Sequence, residues 1–267
     1  MADLPAAQAL SAAVGWPHRL EDWQFVAALG TGLVAEAGRR VVGTGLTWSY
    51  GGGWSSLGMV IVAPAMQGQG IGRRLMEALL PPAGGVLLHA TQAGEPLYRT
   101  FGFAPCGVIR QHQGAPFSVG FHAPRAGERI RPAGRADLPV LTALDTAATG
   151  MGRGAVLAAL LEAADCIVLD RESVACGFAM LRRFGRGQLI GPVIAPDAEA
   201  ARLLMAHWLG QRQGEFIRVD VTAESGLSDW LAGLGLAQVG EALRMMRGAP
   251  PAPAAVRSFA LVNQAIG

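Results

Sequence analysis

Apolar and polar positions along this chain switch between a helical and a two-residue period, and the switches mark its elements. Residues 6–14 and 19–29 read as helices, the second with Glu21 and Asp22 near its start. "GLVAEA" and "RRVVGTGLTW" read as two strands around a short turn at Gly38, and "SSLGMVIVAP" as a longer apolar strand ended by Pro64. A helix is predicted over 68–80, with Ile71, Leu75, Ala78 and Leu79 on one face. "GGVLLHAT" reads as a buried strand, "GEPLYRTFG" as a short helix, and "FAPCGVIRQHQG" as a strand that closes the series.

Over 114–127 the pattern weakens into Gly, Pro and His, which reads as a linker. A second, similar series follows. "ERIRPAG" is a strand and "RADLPVLTALDTAA" a helix; "AADCIVLDRESVACGFAML" is a pair of strands around Arg171 and Glu172. "QLIGPVIAP", "DAEAARLLMAHWLGQ", "FIRVDVT", "GLSDWLAGLGL" and "AQVGEALRMMRG" then alternate strand and helix, and a Pro/Ala stretch leads to a last strand, "SFALVNQ". The halves resemble copies. "VIVAP" parallels "PVIAP", Leu75-Met76 parallels Leu204-Met205, and "LYRTFGFA" parallels "WLAGLGLA". The expected domains are therefore 1–120 and 128–267. One difference stands out: Leu75 follows Pro64 by three residues more than Leu204 follows Pro196, and the shorter segment, "DAEAA", has no glycine.

Composition narrows the chemistry. The 267 residues are 51% hydrophobic and 16% charged, which suits a globular chain with a sizeable core. All 22 basic residues are Arg, so neither a Schiff-base lysine nor a P-loop lysine is available. The net charge of +2 is dispersed, with no basic stripe among aromatics, and nucleic acid is not an expected partner. Cys106, Cys166 and Cys176 form no CxxC pair and no metal spacing with His, so they read as reduced core thiols of a cytoplasmic protein without a metal. The apolar start lacks a basic n-region, and no apolar run reaches membrane-spanning length.

The segment between Pro64 and the helix, "AMQGQGIGRR", carries glycines at 68, 70 and 72. A helix start leaves backbone N–H groups unpaired and adds partial positive charge, which together favour an anion such as phosphate. Glycine there permits positive φ and close approach of a ligand. Three phosphate loops compete. The P-loop needs a lysine; the dinucleotide fingerprint GxGxxG fails at its third glycine and would need a βαβ start. The pattern Q/R-x-x-G-x-G/A is satisfied by Gln67, Gly70 and Gly72.

With that motif, "VAPAMQGQGIGRRLMEALL" followed by "LHATQAGEPLYRTFGF" resembles the acetyl-CoA-binding half of the GNAT acetyltransferase superfamily. The second half resembles the same fold as a degenerate copy, and the whole resembles bacterial tandem-GNAT proteins. The fold implied is α/β (α+β): two GNAT-like domains, each a mixed, mostly antiparallel sheet flanked by helices. The family's "IRP"-like first strand is present in the second copy at Ile130 to Pro132 and missing before Ala6. Either the start is truncated or the C-terminal strand substitutes for it.

The resemblance implies an N-acetyltransferase that moves an acetyl group from acetyl-CoA to an amine of a small molecule or peptide, working as a monomer or homodimer. Met59, Val60, Ile61 and Val62 would pair with the pantetheine arm, and an N–H near Val62 would polarise the thioester carbonyl. Gln67, Gly68, Gln69, Gly70, Ile71, Gly72 and Arg73 would hold the pyrophosphate. Tyr98 would protonate the leaving thiolate. The strand "SSLGMVIV" lacks the carboxylate that many members use as a base; His89 is a candidate at the end of the next strand, with Glu21, Asp22 and Glu36 candidates by position alone. Trp23, Trp48 and Tyr50 are candidates to line the acceptor pocket. A CoA-binding sensor without catalysis, and transfer of a different acyl group, remain alternatives.

Overall fold

The computed structural model describes residues 2–117, 119–120, 122–249 and 254–267. Ser118 and Phe121 of the expected linker, and most of the Pro/Ala stretch, lie outside the described residues.

Helices α1 (Leu4–Ala13) and α2 (Leu20–Ala28) open the chain, followed by strands β1 (Thr31–Ala37), β2 (Arg40–Tyr50) and β3 (Trp54–Val62). A single 3-10 turn at Pro64–Met66 leads to α3 (Ile71–Leu79), which buries Ile71, Leu75, Met76 and Leu79 on one face. It stops ahead of Pro81, whose ring disfavours helix in the residue before it. Strand β4 (Gly85–Ala90), helix α4 (Glu95–Arg99) and strand β5 (Ala104–Gly114) complete the first series.

The second series runs β6 (Glu128–Ala133), α5 (Leu138–Thr149), α6 (Gly154–Ala163), β7 (Asp165–Arg171), β8 (Val174–Phe184), β9 (Gly187–Ala195), α7 (Ala198–Gln211), β10 (Ile217–Thr222), α8 (Ser228–Gly233), β11 (Ala237–Arg247) and β12 (Arg257–Ala260). Helix α6 was not anticipated. Its sequence, "GAVLAALLEA", is apolar nearly all round, so it lacks the polar stripe that marks a surface helix.

All twelve strands join one sheet in the order β1-β2-β3-β4-β11-β5-β10-β12-β9-β8-β7-β6. Two features of this order could not be read from the chain. First, the two copies exchange their long late strands: β11 of the second stands between β4 and β5 of the first, paired antiparallel with both. β5 in turn pairs with β10. Second, β12 does not stand in for a first strand. It pairs with β9 and β10, inside the second copy.

The copies also share a core. Trp23, Trp48, Met59 and Ile61 of the first pack in one cluster with Leu141, Leu157, Val168 and Phe178 of the second. Each large apolar side chain taken fully from water contributes about 1.5–3 kcal/mol. The shared cluster and the strand exchange therefore tie the copies together, and the face between them is fixed by packing rather than by a tether.

Candidate active site

The turn before α3 is built from backbone. Gly68 and Gly70 both sit at φ +75°, where L side chains are strained, and a Cβ on either would meet nothing within 4 Å. The helix accordingly begins at Ile71, not at Gly68. Its first intrahelical acceptor serves Arg74, whose N–H reaches Gly70 O at 3.1 Å. Among the described residues the N–H groups of Gly68, Gln69, Gly70, Ile71, Gly72 and Arg73 have no protein acceptor, and no side chain caps the helix. Gly72 has a different role: a Cβ there would lie 3.2 Å from Leu97 Cδ2, so its glycine lets α3 pack on α4. Gln67 Nε2 donates to Val62 O at 3.1 Å and fastens the turn to the end of β3. Arg73 stacks 5.5 Å over Phe101 and donates to Thr100 Oγ1 at 3.4 Å.

Beside this turn the sheet opens. β3 and β4 run parallel and pair only at Trp54–Gly85, Ser55–Val86 and Ser56–Leu87. Beyond Leu57 they part, while β4 stays paired with β11 as far as Ala90. At the parting β3 bulges against β2, Met59 adopts φ 53°, and its carbonyl is held by Thr44 Oγ1 at 2.8 Å. The bulge thus lies three residues before Val62, where the polarising N–H was expected. The end of the chain enters at the base of the V. His89 Nδ1 meets Gln264 O at 2.9 Å, and a Cβ on Gly58 would lie 3.0 Å from Ala265. Tyr50 OH donates to Ile266 O at 3.0 Å and Arg153 Nη1 to Ile266 O at 3.2 Å. Arg153 is itself held by a buried bidentate pair with Asp145.

A cavity of about 190 Å³ lies in this opening. Leu57 to Val60, His89, Thr91 and Tyr98 of the first copy line it, with the loop of Trp16 and His18; Gln264 and Ala265 close it from the chain end. Tyr98 packs edge-on against Phe103, 6.2 Å between centroids, and burial alone pushes its hydroxyl up to about 12. It therefore keeps its proton at neutral pH. His89 is driven down to about 3, first by burial, then by the Arg244 guanidinium, against the raising effect of its bond to Gln264. Because Gln264 O can only accept, Nδ1 carries the hydrogen and Nε2 carries the lone pair; Nε2 is buried without a partner among the described residues.

Two family models, each described as an acetyltransferase (GNAT) domain, match residues 28–105 and 141–259. The chain belongs to the GNAT acetyltransferase superfamily, as a tandem protein. An uncharacterised N-acetyltransferase of Bacillus subtilis, YitH, is 29% identical over 224 residues, 80% of this chain and 77% of that one. Among solved structures, a candidate acetyltransferase from Pyrococcus horikoshii superposes with a TM-score of 0.78 at 21% identity, over 99% of this chain and 92% of that one. A tandem GNAT protein from the clavulanic acid biosynthesis pathway gives 0.61 at 13% identity, over 93% and 95%. At these identities the two structures support the fold.

The second GNAT copy has closed the corresponding features. Asp197, the N-cap of α7, accepts from Ala200 N at 2.8 Å, so its own carboxylate sits where a helix start would take an anion. Arg125, from the segment joining the copies, pairs with Asp197 at 3.0 Å and also with Glu199. The opening between β9 and β10 is filled by β12: the two strands pair at 188–190 with 217–219, then β12 pairs with each.

Of the residues singled out from sequence, Met59, Val60, His89 and Tyr98 come together around the cavity. Ile61 points into the shared core and Val62 packs toward α3. Trp23 and Trp48 do not line the cavity. Both are core side chains whose indole N–H groups are spent on Ser11 Oγ and Val26 O, each at 2.8 Å. Trp16 is the tryptophan at the cavity, and Tyr50 only pins the chain end beside it. Asp22 lines the cavity as an ion-paired acid: burial raises its pKa, but hydrogen bonds from Arg19 and from the Gly185 N–H outweigh that and hold it below the usual carboxylate range. Sequence reasoning missed His18, Phe184, Arg218 and Asn263 on the cavity wall. A Gly-Trp-Pro loop between two helices was a usable signal for His18. The other three lie in the second copy, far along the chain, and carried none.

Among the described residues there is no group of three or more His, Cys, Asp or Glu placed to hold a metal, and no helix is long and apolar enough to cross a membrane.

Proposed function

We propose that the first copy transfers the acetyl group of acetyl-CoA to an amine, and that the second copy completes the acceptor pocket. The observation that carries this reading is the run of unpartnered amides from Gly68 to Arg73, beside an open strand edge and a cavity that holds Tyr98. The pyrophosphate would rest on those amides, and the pantetheine would run along the free edge of β3 toward the bulge at Met59. An amide released from the ladder at the bulge would then face the thioester oxygen.

In this reading a neutral amine attacks the thioester carbonyl, the C–S bond breaks, and the Tyr98 hydroxyl gives its proton to the leaving thiolate. Its raised pKa keeps the proton in place until the thiolate develops beside it. His89 lines the cavity, but its Nε2 is buried, so it shapes the pocket rather than meeting the amine. Its low proton affinity also makes it a poor proton carrier, so the amine arrives neutral, and the proton it loses on acylation returns through cavity water to the Tyr98 oxygen. The second copy, with its cap and its opening both filled, binds no CoA and contributes walls.

The test is acetyl-CoA binding by calorimetry, followed by thiol release from acetyl-CoA across a panel of amines, then across an acyl chain-length series. One acetyl-CoA bound per chain with amine-dependent release supports the reading. Binding without release by any amine favours a sensor, and preference for a longer acyl-CoA replaces acetyl with that group.

A further inference from the structure

The cavity wall given by the second copy carries charge that the acetyl-transfer chemistry does not use. Arg218 lines the cavity; its Nε and Nη2 are committed to Asp220, the shortest contact 2.7 Å, and its Nη1 has no acceptor among the described residues. Arg182 stacks on Phe184, its guanidinium 4.8 Å from the ring centroid, with Arg218 5.4 Å from the same ring. Arg182 is 5% exposed and donates to Arg183 O and Val262 O, each at 3.4 Å; among the described residues its Nε has no partner and its acidic neighbour is Asp22 at 4.0 Å. Asp22 also pairs with Arg19 at 2.8 Å. His18, which also lines the cavity, is held neutral with a pKa of about 4, through burial first and then through Arg218.

Counted together, the buried Arg182 and Arg218 balance Asp22 and Asp220, and Arg19, whose side chain is 29% exposed, adds one positive charge at the rim, so the wall is cationic by one. What this wall offers a ligand is the free Nη1 donor of Arg218, set in positive surroundings. Burial pulls Arg182 down only to about 10, so it stays charged at neutral pH. The cavity reaches Arg218 but not Arg182; it is the one that holds Tyr98 and His89, and it has room for a small molecule.

Resting on the acetyltransferase reading above, we propose that the amine acceptor carries a carboxylate, bound at the free Nη1 of Arg218 on the cavity wall. A monoanion matches the single surplus charge; a dianionic phosphate would overcompensate it. The acceptor is then of the amino-acid class, its carboxylate at the second-copy wall and its amine at Tyr98.

The test measures kcat/KM for thiol release with the common L-amino acids, each beside its carboxamide, and with O-phosphoethanolamine as the dianionic control. Carboxylates should exceed matched amides by about tenfold or more, the order of one charge-assisted hydrogen bond. Arg218→Gln alone leaves Asp220 buried without a partner and risks misfolding, so the variant of choice is the paired Arg218→Gln/Asp220→Asn. It should bring the ratio close to one while acetyl-CoA affinity stays unchanged. Amides used as well as carboxylates, a preference for the phosphate, or a ratio that survives in the paired variant overturns the proposal. If no amine is turned over, the transferase reading fails and binding decides the present inference. N-acetyl-L-amino acids binding more tightly than their carboxamides, with the difference lost in the paired variant, sustain the carboxylate site. Equal or undetectable binding removes it.

Discussion

Replacing Gly70 by glutamate puts a carboxylate at the turn of free amides. At φ +75°, ψ 5°, residue 70 is left-handed, and a Cβ there meets open space, so no clash is introduced. The folding cost is the backbone strain of an L residue in that region, about 1–2 kcal/mol. The binding cost is electrostatic. At roughly 5 Å and an effective dielectric of about 20, each pair of like unit charges repels by about 3 kcal/mol before salt screening. Against a diphosphate, a conservative allowance is a loss of about 100-fold in acetyl-CoA affinity, near 2.7 kcal/mol. Gly70→Ala carries the same strain without the charge and should change the affinity by no more than about threefold. Calorimetry with acetyl-CoA on both variants, alongside urea unfolding, separates the two costs. The amide-cradle argument is refuted if the Glu variant binds like the parent. It is also refuted if the Ala variant loses as much as the Glu variant, because shape and not charge would then control the site.

Tyr98→Phe keeps the edge-on packing with Phe103 and removes the proton donor, so kcat should fall by about 100-fold with the KM for acetyl-CoA unchanged; steady-state kinetics with an amine that the parent accepts decides it. Stability should rise as pH is raised from 4 to 6.5 and then level off, because His18 and His89, at about 4 and 3 in the folded chain against 6.5 as the ordinary value, bind protons more readily when unfolded. Asp22, also depressed, adds a loss of the same sign at lower pH; urea melts across the range should show a smaller slope for His89→Gln. Arg153→Met leaves Asp145 buried and unpaired and frees the chain end, so it should cost about 3–5 kcal/mol, with much of that recovered in Arg153→Met/Asp145→Leu. Asp197→Ala should cost about 1 kcal/mol as a lost helix cap. It should still leave one acetyl-CoA bound per chain by calorimetry, since β12 continues to fill the second opening.

The sequence by itself determined whatever depends on neighbours along the chain. Gly68 and Gly70 announce a backbone turn because only glycine enters left-handed geometry freely. The period-two and helical runs mark most strands and helices, and repetition of "VIVAP" as "PVIAP" exposes the two copies. Tyr98 was legible because its segment, "PLYRTFGF", resembles the family's own. The tertiary structure alone decided which strands became neighbours. β5 and β11 carry no local mark of their exchange, since strand pairing is chosen by contacts distant in sequence. Trp23 and Trp48 looked like pocket residues by proximity, yet the shared core claimed them, because burial depends on what packs from the other copy. Arg218 and the turn at Gln264 are ordinary residues in their own stretches. They acquire meaning at the cavity only when a sheet built from both copies carries them there.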